Sequence, residues 1–493
     1  MEQKSPAHTT EKQALLAALR SILPDASLLV HEEDLRPYES DGLTAYRALP
    51  GVVCLPDTLE QVQQILRLCH QLHYPVVARG AGTGLSGGAL PLENGVLLSL
   101  AKFTRIIEMD TVNRTARVQC GVRNLAISEA AAVHGLYYAP DPSSQIACTI
   151  GGNVAENAGG IHCLKYGLTV HNVLGLKLVT MDGELLELGG KTLDAPGYDL
   201  LAVLHGSEGL LGVIVEVSVK LLPRPERTQV ALAAFDDVAK AAGAVAAIIG
   251  AGIIPAGLEM MDNLALCAAE DYVHAGYPVD AAAILLCELD GADEEVSDLI
   301  MQVRRLLLAN GATEVRTALD DAERRKMWAG RKAAFPAVGR LAPDYYCMDG
   351  TIPRRRLSEA LTGIAALSQH YNLRVANVFH AGDGNLHPLI LYDANIAGEL
   401  QRAEEMGGKI LELCIAVGGT ITGEHGVGVE KLDQMCVQFG AAELDQFHDL
   451  KHSFDPKELL NPGKAVPTLQ RCAEFGAMHV HHGKLAFPEL ERF

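Results

Sequence analysis

Two short histidine-containing motifs in the C-terminal half carry the residue types best suited to chemistry. His380 and His387 flank a six-residue turn, AGDGNL, and Glu424 and His425 stand between two glycines. A hairpin through the turn would set the two histidines abreast, and two imidazoles with a carboxylate suit a divalent cation such as Zn, Mn or Fe. The pattern predicts a metal site formed by His380, His387 and Glu424, with open positions for a substrate.

A structural role is the alternative for these histidines, which could simply hydrogen-bond the tight turn. A packed core does not require Gly-Asp-Gly-Asn between two histidines, or glycine on both sides of Glu-His, so the metal interpretation is favoured. Asp383 is predicted to stabilise the turn rather than bind the metal. The histidines at 479, 481 and 482 are left out of the site because terminal histidines are usually solvated.

Two glycine-rich segments in the N-terminal half indicate a site for a long, phosphate-containing ligand. Residues 79–89, RGAGTGLSGGA, hold five glycines, and residues 149–160, TIGGNVAENAGG, have paired glycines at both ends. Glycine at this density lets backbone N–H groups approach a phosphate closely. A surface loop with no ligand is the alternative for the first segment alone, and the second segment makes it less favoured.

The first segment also contains G-x-G-x-x-G, the fingerprint of a Rossmann nicotinamide site. That site needs a helix directly after the loop, but Pro91 and Gly95 interrupt the run and residues 96–100 read as a new strand. We therefore predict that the loop joins two strands. A nicotinamide dehydrogenase remains a second hypothesis for the function.

Short strands must position the glycine segments. Thr58 and Gln61 form a capping box for the helix that leads to the first segment. Pro223 and Pro225 mark a domain boundary. The predicted strands of this half are 51–55, 96–100, 106–110, 116–120, 173–180, 184–188 and 212–222.

The second half follows a different order of elements, β-α-β-β-α-β, which is ferredoxin-like. The first set is strand 228–234, helix 237–250, strands 255–261 and 281–289, helix 293–309 and strand 312–317. A similar set follows: strand 345–351, helix 357–371, strands 373–380 and 387–392, helix 398–417 and strand 418–422. We therefore predict an α+β cap on the first domain.

The composition narrows the class of protein. The 493 residues carry a net charge of −20, which argues against nucleic acid or an anionic membrane as a direct partner. The first residues are polar and predict no secretory signal. The 11 cysteines are scattered singly, so they predict reduced thiols and no iron–sulfur cluster.

These motifs together resemble the FAD-linked 2-hydroxy-acid oxidases and dehydrogenases, over about residues 45 to 467. The glycine segments resemble the vanillyl-alcohol-oxidase or PCMH-type FAD domain, and H-x-G-D-G-N-x-H with G-E-H-G resemble the C-terminal domain. By this resemblance the metal ligands are His380, His387 and Glu424, the base is His425, and Arg331 binds the substrate carboxylate. Arginine binds carboxylates bidentately, and a metal-bound hydroxyl loses its proton readily, so the physics agrees.

The resemblance also implies which residues contact FAD. They are Arg79, Gly80, Ala81, Gly82, Thr83, Gly84, Ser86, Gly87, Pro140, Asp141, Ser144, Thr149, Gly151, Gly152, Asn153, Asn157, Gly159, Gly160, Glu208, Gly209, Gly212, Ile214 and Asn461. No side chain is implied as a covalent anchor, although His162 and Cys163 follow Gly160 closely. The implied organisation is an N-terminal extension (1–45), a PCMH-type FAD-binding domain (46–225), an FAD-linked oxidase C-terminal domain (226–466) and a tail (467–493).

Two departures of this sequence from the pattern of some relatives narrow the class of substrate. Relatives acting on dicarboxylic acids have an asparagine at the position of Leu389 and a lysine near Cys347. Within the family the chain is similar to the FAD-binding subunits of bacterial glycolate oxidases, which implies oxidation of glycolate, and of D-lactate as well. The alternative is a D-2-hydroxy-acid dehydrogenase that acts without a complex.

Electrons must leave the flavin after each turnover. No cluster-spaced cysteines, second dinucleotide site or membrane segment is apparent. The resemblance implies a complex with an iron–sulfur subunit and a second FAD-domain-like subunit, which would place this cytoplasmic chain at the inner face of the membrane. Residues after Pro467 are a candidate docking segment, with packing on their own domain as the alternative. A subunit that binds FAD without catalysis is the third hypothesis.

Overall fold

In a computed structural model, which describes residues 6–192, 196–468 and 471–472, the first domain runs to Pro223. Its helices are α1 Pro6–Ile22, α2 Glu32–Leu35, α3 Leu59–Leu72, α4 Asn124–Ala131, α5 Ile150–Glu156, α6 Cys163–Tyr166 and α7 Leu200–Leu204. Its strands are β1 Leu28–Leu29, β2 Val52–Cys54, β3 Val76–Arg79, β4 Val96–Ser99, β5 Ile106–Asp110, β6 Thr115–Gln119, β7 Leu136–Tyr137, β8 Val173–Val179, β9 Leu185–Gly189, β10 Val213–Lys220 and β11 Leu222–Pro223.

Two larger sheets and a two-stranded sheet, β11-β7, form this domain. One larger sheet has the order β1-β2-β4-β3 with β2, β4 and β3 parallel, and the other is antiparallel with the order β5-β6-β10-β8-β9. The first glycine segment connects β3 to β4 without a helix, as predicted. The predicted capping box of α3 is also confirmed, since Gln61 N donates to Thr58 Oγ1 and Gln61 Oε1 accepts from Thr58 N.

The second domain is a layered α+β structure. Its helices are α8 Val238–Gly250, α9 Asn263–Val273, α10 Asp293–Ala309, α11 Asp321–Val338, α12 Leu357–Tyr371, α13 Glu399–Ala416, α14 Leu432–Gln438 and α15 Ala441–Phe454. Its strands are β12 Arg227–Phe235, β13 Gly257–Asp262, β14 Ala283–Gly291, β15 Glu314–Thr317, β16 Asp344–Cys347, β17 Val375–His380 and β18 Asn385–Tyr392.

These strands form one antiparallel sheet in the order β15-β12-β14-β13-β17-β18-β16. The first four show the ferredoxin-like order 4-1-3-2, as predicted, and the second set joins it edge to edge through β13 and β17. The predicted strand 418–422 is wrong: this segment makes only an isolated bridge between Thr420 and Thr351. Gly419 packs directly on the Thr351 carbonyl there, which leaves a bend instead of a strand.

Two helices absent from the sequence prediction cover the second face of this sheet. The core on that face includes Ala265 and Leu266 of α9 and Met327 and Ala334 of α11. Helix α9 is capped by Asp262, whose side chain accepts from Ala265 N. Helix α11 has charged residues spread along most of its length and contains Pro336, so its hydrophobic period is weak.

Two described segments, one in α1 and one after α15, pack on the first domain. Leu15 and Leu19 of the predicted extension are buried in the same core as α3. At the other end, the segment after α15 pairs with β3, where Val76 N donates to Leu459 O and Asn461 N donates to Val76 O. The C-terminal segment therefore closes onto the sheet that presents the first glycine segment.

One disulfide corrects the prediction that all cysteines are reduced. Cys436 of α14 is bonded to Cys472, with their Cα atoms 5.2 Å apart. The two positions are 36 residues apart in the sequence, so no local spacing signals the pair. The other nine cysteines are free thiols. Most of the candidate docking tail lies outside the described residues. Among the helices that the structure describes, none is long and apolar enough to cross a membrane.

Candidate active site

The β17–β18 hairpin brings the two predicted metal histidines together. Val378 pairs with His387 and His380 pairs with Asn385, so the histidines are diagonal neighbours rather than directly opposite. Their ring centroids are 5.0 Å apart. Gly384 occupies the turn at φ +85° and lies against the Ile352 carbonyl, so a side chain would not fit there.

Glu424 completes the predicted ligand set. Its Oε1 lies 3.3 Å from His380 Nε2 and 3.0 Å from His387 Nε2. One ligand atom from each residue lies within 4.8 Å of the others, and all three side chains are buried or nearly so. Burial alone would raise the pKa of Glu424, but the hydrogen bonds with both histidines outweigh it and hold the pKa well below its usual range. Two imidazole nitrogens converging on one ionised oxygen fit a divalent cation.

A second donor set shares His387 and consists of Cys347, His387 and His425. The Cys347 thiol donates to the Met348 carbonyl at 3.5 Å, and burial raises its pKa well above the usual value. The thiolate is the form that binds metals, so this set would require a buried Cys347 to lose its proton. The first set therefore fits a cation better.

The turn that carries Glu424 and His425 is held by Asp349, a fully buried carboxylate that the sequence analysis missed. Asp349 Oδ2 accepts from Gly423 N at 3.1 Å, Glu424 N at 3.2 Å and His425 N at 2.8 Å. Lys431 Nζ adds a bond at 3.3 Å. One carboxylate thus satisfies three consecutive backbone donors and orients the two functional side chains that follow.

His425 stacks on His387, with ring centroids 5.0 Å apart and ring planes 10° apart. Its Nε2 lies 4.0 Å from Glu424 Oε1, and its Nδ1 has no hydrogen-bond partner in the described part of the chain. Burial lowers the pKa of His425 to about 4 despite the opposing charge of Asp349. A neutral imidazole of this kind can accept a proton.

Arg331 lies on α11 and is 3% exposed. Its Nε and Nη2 donate to Glu259 Oε2 at 2.8 and 2.7 Å, and Glu259 Oε1 accepts from His380 Nδ1 at 2.8 Å. The predicted carboxylate-binding arginine is therefore one side chain away from a predicted metal ligand. Glu259 was missed, although a lone acidic residue within the apolar strand GLEMM was a usable signal.

A single cavity connects this cluster to the glycine segments, and Glu424 and His425 form part of its wall. The predicted FAD residues that line the same cavity are Arg79, Gly80, Ala81, Gly82, Thr83, Gly84, Ser144, Thr149, Gly151, Gly152, Asn153, Glu208, Gly209, Gly212 and Ile214. The backbone N–H groups of residues 80–84 donate no backbone hydrogen bond within the described part of the chain. Unpaired donors in a glycine-lined cavity fit the phosphates of a dinucleotide.

Other predicted FAD residues hold the walls instead of lining the cavity. Asn461 Nδ2 donates to the carbonyls of Gly88 and Glu208 at 2.9 and 2.7 Å. The Ser86 carbonyl accepts from Val429 N, and Gly87 leaves room for the Val429 side chain. The other predicted FAD residues that do not line the cavity are Pro140, Asp141, Asn157, Gly159 and Gly160.

Gly159 has a specific role at the junction of the two domains. A Cβ at this position would lie 2.6 Å from Glu424 Oε2. Glu208 reaches across the same junction and accepts from Val427 N and Gly428 N, both at 2.7 Å. The G-E-H-G turn is therefore pressed against the first domain, which places Glu424 and His425 at the cavity.

A second polar junction involves Asp141, which was predicted to contact FAD, and His162, which follows the second glycine segment. His162 Nδ1 pairs with Asp141 Oδ2 at 2.8 Å, and its Nε2 pairs with Glu288 Oε1 at 2.9 Å. Glu288 also accepts from Trp328 Nε1 at 2.6 Å. Both ring nitrogens of His162 are therefore engaged, and the contact with Glu288 joins the two domains.

We predict that FAD is held without a covalent bond. His162 is engaged on both ring nitrogens, and the two thiols that line the cavity, Cys120 and Cys148, have their pKa raised by burial and remain poor nucleophiles. Acid precipitation should therefore release all the flavin into the supernatant. Flavin that stays with the pellet would contradict the prediction.

Comparisons with known proteins agree with this geometry. Residues 50–189 match the FAD binding domain, and residues 224–465 match the FAD linked oxidases, C-terminal domain. The chain is 66% identical over 483 residues to the glycolate oxidase subunit GlcD of Escherichia coli (strain K12), covering 98% of this chain and 97% of that protein. It is 32% identical over 447 residues to a D-lactate dehydrogenase of Anaerostipes hadrus, covering 89% and 94%.

Among solved structures, p-cresol methylhydroxylase with substrate bound superposes with a TM-score of 0.78 at 18% identity, covering 94% of this chain and 98% of that one. This likeness confirms the predicted fold. The paired domains, the cavity they share and the identity to these relatives lead to one conclusion: the chain belongs to the family of FAD-linked 2-hydroxy-acid oxidases and dehydrogenases.

Proposed function

We propose that this protein oxidises glycolate to glyoxylate, and D-lactate to pyruvate, as the catalytic subunit of a complex. The observation that carries the proposal is the shared cavity, in which Glu424 and His425 of the second domain face the glycine segments of the first. The E. coli relative named as a glycolate oxidase subunit supports the choice of substrate.

Each proposed site residue has a distinct task. Arg331 binds the substrate carboxylate, and His380, His387 and Glu424 hold a divalent cation beside the substrate hydroxyl. When bound, FAD supplies the hydride acceptor and the cation supplies a Lewis acid. His425 takes the hydroxyl proton, so the substrate loses one hydride from Cα and one proton from oxygen, and the carbonyl forms.

The surroundings of the cation site favour a small monocarboxylic substrate. Cys347 and Leu389 are cross-strand partners of β16 and β18, and Leu389 lies on the same face of β18 as His387. Both side chains are buried in the apolar core on that face. Neither can pair with a second carboxylate, so a dicarboxylic acid would bury an unpaired charge there.

Anaerobic titration of the FAD-loaded protein with glycolate tests the proposal. We expect the visible flavin absorption to bleach, which would exclude both the nicotinamide enzyme and the subunit that binds FAD without catalysis. A flavin spectrum that glycolate and D-lactate leave unchanged would contradict the proposal.

A second candidate function is a D-lactate dehydrogenase that acts without a complex. The relative from Anaerostipes hadrus that carries this name favours it. The ratio of kcat/KM for D-lactate to that for glycolate, measured on the isolated chain, separates the two candidates.

The proposed complex supplies the route for electrons. The E. coli relative is named as a subunit, and the 11 cysteines of this chain include no cluster spacing, so we propose an iron–sulfur subunit and a second FAD-domain-like subunit as partners. Through them the chain would lie at the cytoplasmic face of the membrane. We propose the domain limits 46–225 and 226–466, with residues 1–45 as an N-terminal extension and 467–493 as a docking tail.

We predict that the isolated chain, given glycolate, reduces an artificial dye rapidly but releases little hydrogen peroxide in air. The reason is that the proposed acceptor is a protein partner and not oxygen. Peroxide and dye reduction should be measured on the same preparation. Rapid, stoichiometric peroxide release would show a self-sufficient oxidase and contradict the need for partners.

A further inference from the structure

Glu259 is a buried carboxylate at the middle of β13, a strand whose only other charged residue is the terminal Asp262. It is 1% exposed, and its neighbours Leu258 and Met260 are core residues. Burying an ionised carboxylate is costly unless partners compensate for the lost water. The partners of this side chain therefore indicate why the strand carries it.

The two carboxylate oxygens serve two different partners. Oε1 pairs with His380 Nδ1 at 2.8 Å, and Oε2 accepts from Arg331 Nε at 2.8 Å and Nη2 at 2.7 Å. His380 lies on β17 and Arg331 on α11, so Glu259 joins two elements that are far apart in the sequence.

The contact with His380 selects the tautomer of its ring. An ionised carboxylate only accepts hydrogen bonds, so Nδ1 must carry the proton. Nε2, which faces Glu424 Oε1 at 3.3 Å, is then the nitrogen that would offer its lone pair to a cation. A carboxylate behind a ligating histidine fixes ring orientation and raises its basicity.

The contact with Arg331 selects which edge of the guanidinium remains available. Glu259 occupies the edge formed by Nε and Nη2. The edge formed by Nη1 and Nη2 keeps two parallel donors, which is the geometry that binds a carboxylate bidentately. The same buried side chain thus leaves one nitrogen of His380 and one edge of Arg331 free to act.

We propose that Glu259 is a positioning residue that orients the metal ligand His380 and the substrate-binding Arg331 together. The inference rests on the proposed function, because it assigns a shared support to two of its residues. It makes metal affinity and carboxylate binding depend on one side chain that touches neither the ion nor the substrate.

The substitution Glu259→Gln tests the proposal, because an amide has the same shape but its single oxygen can satisfy only one of the two partners. Zn²⁺ affinity is measured by competition titration of the FAD-loaded chain, and KM and kcat by steady-state glycolate oxidation. We expect Zn²⁺ affinity to fall about 10–100-fold or KM to rise roughly 10-fold, according to which partner keeps the oxygen. Glu259→Ala, if it folds, should show both changes.

Asp262→Asn is the matched control. It makes the same change on the same strand, but Asp262 bonds Asn377 and Ala265 and contacts neither functional residue. The control should keep the wild-type Zn²⁺ affinity and KM. All variants should keep the wild-type flavin content.

If Glu259→Gln left Zn²⁺ affinity and KM unchanged, even with a lower melting temperature, Glu259 would have a purely structural role. That result would overturn this inference but not the proposed function. A wild-type protein that binds no Zn²⁺ and is not reduced by glycolate would overturn the proposed function and this inference with it.

Discussion

Replacing His425 with alanine is expected to lower kcat for glycolate by about 10²–10⁴-fold, which is the usual contribution of a positioned general base. The side chain is held by three features: the bond from its backbone N to Asp349, its stack on His387, and burial that keeps its imidazole neutral. Alanine removes the proton acceptor and leaves the backbone of the turn in place.

The measurement needs three readouts on the same preparation: kcat, bound flavin and bound metal. His370→Ala, on the exposed face of α12, is the control for a histidine replacement outside the site. A His425→Ala protein that keeps its flavin and metal and loses less than about 10-fold in kcat would refute the assignment of His425 as the base.

The sequence alone could predict the parts of this site that depend on local pattern. Close approach of the backbone to a ligand is indicated by the glycines at 80, 82 and 84 and by the G-E-H-G turn. A hairpin with a histidine at each end can be recognised from its turn residues. The ferredoxin-like order of the first four strands of the cap followed from hydrophobic periodicity and from helix lengths.

What the sequence could not predict depends on contacts between distant segments. Asp349 and Glu259 hold the functional side chains, yet they lie 75 and 121 residues away from the partners that reveal their roles, Glu424 and His380. The Cys436–Cys472 disulfide could not be predicted for the same reason, because only the folded chain brings α14 and the C-terminal segment together. The segment 418–422 has strand-like residues, but it begins at Gly418 with φ +88° and ends at Thr422, whose side chain bonds Asp349, so only Thr420 pairs with Thr351.

The junction between the domains explains why a two-domain arrangement is needed for this chemistry. Glu208 of the first domain binds the backbone that follows His425, and Gly159 makes room for the Glu424 carboxylate. The predicted FAD contact at Glu208 thus has an additional task, which is to fix the distance between the cofactor loops and the cation site. An FAD domain that folded by itself would lack the wall that carries the base.

Replacing His387 or His380 with alanine is expected to remove the bound divalent cation and the activity, because each contributes one of only three protein ligands in the assigned set. Substitutions behind a ligand usually cost about 10–100-fold in metal affinity, and the loss of the ligand itself should cost at least that much. Metal content is measured on folded, FAD-containing protein, since the glycine cavity lies in the other domain and should keep its flavin.

The choice between the two donor sets decides the interpretation of that result. His387 belongs to both sets, but His380 and Glu424 belong to one and Cys347 to the other. Cys347→Ala is therefore the matched control: it removes a buried side chain of the same site, and we expect it to keep the cation while His380→Ala loses it. If Cys347→Ala lost the cation and His380→Ala retained it, the ion would be held by the thiol-containing set, and His425 would be a ligand instead of the base.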